Sequence, residues 1–198
     1  MNLPNKLSIT RICLVPIFML FAIPLPAWDW LSGINSFMHS FGIYIAGVIF
    51  IIASITDSID GYIARSRNMV TDFGKFIDPI ADKLLVTAAV IALVQLGVLN
   101  GWLAMIIVGR ELLITGFRLV VSGKGVVLSA NIWGKLKTVM QTIAISLLLF
   151  EIKFREIFSW YPKEFFLGDA IMLIAVILTV ISAYIYVKDS AHLLKEHM

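Results

Sequence analysis

Thiol chemistry is nearly absent from this sequence. Cys13 is the only cysteine in 198 residues, so the chain can form no internal disulfide and no thiolate metal site. Cys13 is expected to serve as a small buried apolar residue. Histidine is also scarce: His39 is expected in an outer loop, and His192 and His197 lie in the C-terminal tail. Charged residues make up only 15% of the chain. No repeat, low-complexity tract or second composition regime interrupts it, so residues 1–198 read as one domain.

Apolar residues take up the difference. They make up 60% of the sequence, where a soluble domain is nearer half, and the mean hydropathy is +0.93. A span across a hydrocarbon core about 30 Å thick needs about 20 mostly apolar residues. Six segments qualify as candidates, at about 7–25, 41–63, 76–96, 102–121, 132–150 and 167–187. Backbone in lipid must satisfy its own hydrogen bonds, which favours helices. The expected fold is therefore an all-α integral membrane protein with six transmembrane helices. Residues 1–11 are expected to form a short interfacial segment, with Pro4 near its start. The first apolar stretch has no small-x-small pattern before Trp28 and reads as a retained helix. Pro24, Pro26 and Gly33 break the chain outside, Asn100-Gly101 makes a tight outer turn, and 151–166 forms an outer connection. With both termini in the cytoplasm, thirteen of the Lys and Arg residues fall inside. Lys153, Arg155 and Lys163 fall outside, as the positive-inside rule requires. This bias accounts for the pI of about 9.0 without any nucleic acid partner.

Against this background four aspartates stand out. The chain reads Asp57-x-x-Asp60-Gly61-x-x-Ala64-Arg65, then eight residues, then Gly74-x-x-x-Asp78-x-x-x-Asp82. Spacings of three and four put each pair on one face of a helix. Counted from the short loop between the helices, the two pairs lie at matching depths near the cytoplasmic end. One carboxylate at membrane depth costs roughly 2.5–3.5 kcal/mol on insertion scales. Four converging ones need neutralising, and divalent metal is the most economical means. All-oxygen ligation suits Mg²⁺, Mn²⁺ or Ca²⁺ over zinc, and four carboxylates suffice for two ions. Gly61 and Ala64 leave a flat surface that a bulky group can approach. Arg65, near a helix C-terminus, can meet a phosphate, and Gly74 opens the second helix.

This register resembles the signature of the CDP-alcohol phosphatidyltransferase family, and every signature position is matched. The resemblance extends to the whole chain and, within the family, is strongest to members whose acceptor is glycerol 3-phosphate. It implies that a phosphatidyl group passes from CDP-diacylglycerol to sn-glycerol 3-phosphate with release of CMP. It also implies that Asp57, Asp60, Asp78 and Asp82 hold two divalent cations, Mg²⁺ or Mn²⁺, and that Asp82 acts in addition as the catalytic base. Asn5, Ser8, Gly61, Ala64, Arg65, Thr71 and Gly74 would contact CDP-diacylglycerol. From the residues alone, Asn5 and Ser8 could equally cap an interfacial helix. The resemblance further suggests a homodimer in the cell membrane, multi-pass, with its active site facing the cytoplasm. With no Ser, Cys or His placed as a nucleophile, direct single displacement is expected.

A second polar group lies downstream. Arg110, Arg118, Lys135 and Lys137 would form an inner basic cavity for the phosphate of glycerol 3-phosphate. Charges within a span usually face a bundle interior or a wet cavity, and the resemblance favours an acceptor role here. Glu111 and Arg118, seven apart, share a face and are expected to pair. Snorkelling to headgroups is the plainer role for the lysines. Two other readings are weighed. Inositol phosphate or serine could replace the acceptor in the same chemistry, although serine would not need so many cations. A cation transporter would place its acids near the bilayer midplane, typically with internal repeats. Here the acids hug one face and no repeat exists.

Overall fold

The computed structural model describes residues 3–23, 32–66, 72–123, 132–157 and 167–195. All regular structure among them is helical. Six helices are long: α1 (Leu3–Ala22), α3 (Ile43–Ser66), α4 (Asp72–Gln95), α5 (Gly101–Gly123), α6 (Ile132–Ile157) and α7 (Leu167–Lys195). Each covers one of the six apolar segments. A short α2 (Ser32–Phe37) runs through a π-helical turn (Met38–Gly42) directly into α3.

Three boundaries differ from expectation. Residues 3–11 are not a separate interfacial segment but the opening turns of α1. Pro4 falls in the first turn, where a missing N–H costs nothing, and no breaker follows before Arg11. Ser8 therefore lies inside the helix and cannot cap it. His39 falls in the π-helical turn rather than a loop. Helix α6 continues to Ile157, so Lys153 and Arg155 belong to it and not to an outer connection.

The turn between α4 and α5 is as tight as Asn100-Gly101 suggests. Gly97 ends α4 at φ +72°, the left-handed conformation glycine adopts without penalty. The Gly97 N–H donates to the Val94 carbonyl and the Val98 N–H to that of Leu93, both at 3.0 Å, which closes a Schellman motif. Asn100 Oδ1 then accepts from the Trp102 N–H at 2.8 Å and starts α5.

The long helices close into a ring in the order α1, α3, α6, α7, α5, α4 and back to α1, with α4 also touching α6 across the middle. Among the described residues α1 lies against both α3 and α4, while α3 and α4 touch each other sparsely. Phe18 on α1 and Phe50 on α3 are fully buried, with ring centroids 6.2 Å apart. Ala46, Ala89, Leu93, Ile107, Ile145, Leu148 and Met172 complete a continuous core. Where helices come closest, glycine is required. A Cβ on Gly42 would lie 2.6 Å from the Phe21 carbonyl oxygen. Backbone cannot swing aside, so Gly42→Ala is expected to cost about 1–3 kcal/mol. A thermal melt in detergent should show a lowered midpoint; an unchanged one would mean that α1 and the π-helical turn do not approach this closely.

The outward faces are apolar as well. Ile17, Ile52, Ile55, Leu112, Leu113, Ile174, Ile177 and Val180 are exposed. Cys13 is exposed too, contrary to the expected burial. On a helix with apolar residues on both faces, hydrophobicity does not mark the inside. Polar groups within the helices use their own backbone: Ser54 Oγ donates to the Phe50 carbonyl at 2.8 Å and Thr179 Oγ1 to that of Ala175 at 2.7 Å, local bonds typical of Ser and Thr in apolar helices. Glu151 accepts from the Gly168 N–H at 3.1 Å, tying the end of α6 to the start of α7. Among the described residues one helical stretch, Leu167–Lys188, is by itself long and apolar enough to cross a membrane, and Ser40–Thr56 is a shorter apolar run. Helices α5 and α6 interrupt their apolar character with Arg110, Glu111, Lys135 and Lys137.

Candidate active site

The four aspartates belong to α3 and α4. Asp60 and Asp57 lie six and nine residues before Ser66, which ends α3. Asp78 and Asp82 lie six and ten residues after Asp72, which begins α4. At about 1.5 Å per residue, both pairs sit roughly 9–15 Å from the same loop. The side chains of Asp57, Asp60 and Asp78 lie outside the described residues, as do those of Asn5, Ala64 and Arg65. Gly61 belongs to the last turns of α3 and Gly74 to the first turn of α4; Thr71 lies outside the described residues. Among the described residues no group of three metal-ligating side chains occurs.

Asp82 is described. It is exposed and lines a narrow cleft between α4, α5 and α6 with Lys83, Glu111, Lys137, Thr138 and Gln141. Helix α1, which packs on both aspartate helices, buries Ser8 and Arg11.

The cleft is organised by Glu111, a buried carboxylate. Its Oε2 accepts from Lys83 Nζ at 2.8 Å, and its Oε1 pairs with Lys137 Nζ. Arg110 Nη1 lies 3.7 Å from Oε2. Arg110 Nη2 donates to Ser182 Oγ on α7 at 2.7 Å. Glu111 therefore pairs with α4 and α6 and not with Arg118. Seven residues along a helix separate two Cα atoms by about 10.5 Å, too far for a carboxylate with closer cations at hand. The expected basic cavity is divided. Lys137 is only 2% exposed and joins Arg110 around Glu111. Lys135 and Arg118 are exposed. Two positions apart, Lys135 and Lys137 point about 200° from each other on a helix, so they cannot share one wall.

Residues 1–181 match the family described as CDP-alcohol phosphatidyltransferase. The chain belongs to the CDP-alcohol phosphatidyltransferase family. It is similar to the CDP-diacylglycerol–glycerol-3-phosphate 3-phosphatidyltransferase of Bacillus subtilis, at 45% identity over 98% of this chain and 97% of that protein. A protein of the same name from Rickettsia typhi is 38% identical over 94% of this chain and 96% of its own length. A probable phosphatidylglycerophosphate synthase of Mycobacterium tuberculosis is 38% identical over 94% of this chain and 80% of its own length.

The donor set fits the divalent cations a CDP-alcohol phosphatidyltransferase implies. Its members are carboxylates only, on two helices at equal depth, which is hard-cation chemistry. Sequence reasoning assigned no role to Lys83 and Gln141, which line the cleft, or to Ser182, which accepts from Arg110. Gln141 is buried, and among the described residues its Nε2 has no hydrogen-bond partner. Tyr186 packs edge-on against Phe117 at 5.8 Å, and its buried hydroxyl also lacks a partner among the described residues. Polar atoms left unpaired in a core are costly. A glutamine between Thr138 and Thr142 in an apolar helix was the available signal for Gln141. Nothing local marked Ser182, which the α5–α7 packing brings to Arg110.

Proposed function

We propose that this chain transfers the phosphatidyl group of CDP-diacylglycerol to sn-glycerol 3-phosphate, giving phosphatidylglycerol phosphate and CMP. The observation that carries the reading is the complete aspartate signature, set at one depth on α3 and α4 beside a cleft that holds Asp82 together with cationic side chains. The names of the relatives support the same activity.

Asp57, Asp60, Asp78 and Asp82 are the residues that would hold two divalent cations, Mg²⁺ or Mn²⁺. The chemistry such ions supply is neutralisation of the diphosphate and of the charge growing on the departing phosphate oxygen. The residues of the chain do the rest. Asp82 takes the proton of the acceptor hydroxyl as its oxygen attacks the lipid-side phosphorus. The bond from that phosphorus to the CMP oxygen breaks, and CMP leaves with the electron pair. Gly61 and Ala64 admit the nucleotide, while Arg65, Thr71, Gly74, Asn5 and Ser8 hold it. Arg110 and Lys137 receive the acceptor phosphate, with Arg118 and Lys135 guiding it from the surface.

Six membrane-spanning helices, with the aspartate end in the cytoplasm and a homodimer in the cell membrane, are the setting that fits this reading. The exposed apolar residues on the long helices support it, as does the excess of inner Lys and Arg. Purified protein with CDP-diacylglycerol, Mg²⁺ and a panel of glycerol 3-phosphate, inositol phosphate and serine tests the acceptor. CMP release with either of the others and not with glycerol 3-phosphate would overturn the reading. Arg110→Ala removes a charge-assisted contact worth about 1.5–3 kcal/mol. It should raise the glycerol 3-phosphate KM about tenfold or more and leave the CDP-lipid KM little changed. An equal rise in both would remove Arg110 from the acceptor site.

A further inference from the structure

Glu111 puts a negative charge where an anionic acceptor is expected to bind, which is the wrong sign for a ligand of that acceptor. Its contacts show another use. One oxygen takes Lys83 Nζ of α4 at 2.8 Å, the other takes Lys137 Nζ of α6, and Glu111 itself belongs to α5. Lys83 is the chain neighbour of Asp82, and Lys137 shares the cleft with both. The carboxylate thus joins the helix that carries the base to the helix that carries a buried cation, and it does so at the turn that bears Asp82. A side chain buried to this degree and bonded on both oxygens has little freedom to rearrange.

We infer that Glu111 is a positioning residue that sets the acceptor-binding Lys137 at a fixed place relative to Asp82 by clamping it to Lys83. The inference rests on the proposed transfer to glycerol 3-phosphate. Misplacement of about 1 Å in a reacting pair can cost a hundredfold in rate, so loss of the clamp should appear in turnover. Loss of the negative charge should appear in binding with the opposite sign, because the acceptor phosphate no longer meets a competing carboxylate.

Glu111→Gln separates these effects. Its kcat, per folded protein measured by thermal melt, should fall at least about tenfold. Its glycerol 3-phosphate KM should fall about threefold or more, with the CDP-lipid KM within about twofold of wild type. An unchanged glycerol 3-phosphate KM, with activity that merely follows the folded fraction, would reduce Glu111 to a structural ion pair and overturn the clamp. A raised glycerol 3-phosphate KM would make Glu111 a direct acceptor ligand and overturn it as well. Lys83→Met opens the arm to α4 and serves if Glu111→Gln does not fold; kcat at least about fivefold below wild type is expected, and a wild-type kcat would overturn the clamp. Wild-type protein inactive toward glycerol 3-phosphate removes the parent reading, and the clamp with it, whatever the variants do.

Discussion

Asp82→Asn is expected to lower CMP release by at least about a thousandfold. The two roles proposed for Asp82 would be lost at once. A general base contributes about 10²–10⁴ in rate, and a carboxylate that also holds a cation adds its share of the charge stabilisation at the departing oxygen. Asparagine keeps the size and one oxygen, so packing gives no reason for a loss. Asp82 is exposed at the cleft, and the variant should melt near wild type. The decisive measurement is single-turnover CMP release at saturating glycerol 3-phosphate, which isolates chemistry from acceptor binding. A deficit under tenfold would move the base to another residue. The stereochemistry at phosphorus gives a second check, because one in-line displacement inverts the configuration.

Removal of divalent cations with EDTA should abolish turnover, and Mg²⁺ or Mn²⁺ should restore it. The four carboxylates of the proposed site, if brought together, cannot stay ionised together without counter-charge. Stripping should therefore alter the protein as well as the reaction, seen as a lowered thermal midpoint that recovers with Mg²⁺ in the absence of substrate. An oxygen-only donor set has little preference for Zn²⁺, so zinc should restore far less activity than Mn²⁺. Asp57→Asn should need a higher Mg²⁺ concentration for half-maximal activity. Full activity in excess EDTA would sink the metal reading, together with the roles given to all four aspartates.

Much of the candidate site was legible because it is local. Asp57 and Asp60 are three apart and Asp78 and Asp82 four apart, so a helical period alone places each pair on one face. The loop between α3 and α4 is short enough to fix their relative depth by counting residues. The long helices were legible for a similar reason, since each apolar segment ends at a turn residue or a charge. Cys13 was misplaced because apolar residues cover the outside of this bundle as well as its inside. The usual inference from hydrophobicity to burial then fails.

The partners of Glu111 were not legible. Lys83 is 28 residues away from it, and Ser182 is 72 residues from Arg110. Local spacing pointed instead to Arg118, seven positions along the same helix, whereas closer cations take both oxygens of Glu111. The division of the basic group has the same origin: Lys135 and Lys137 look alike in sequence, but the packing of α6 buries one and exposes the other.

The sequence by itself determined the helical architecture, the membership of the family and the four-aspartate register, because these depend on composition and on spacings within one or two helical turns. Only the tertiary structure decided which cations meet Glu111, which lysine enters the cleft and how α1 lies against both aspartate helices. Those outcomes follow from helix packing order, and contacts between distant segments leave no periodic trace in a single chain.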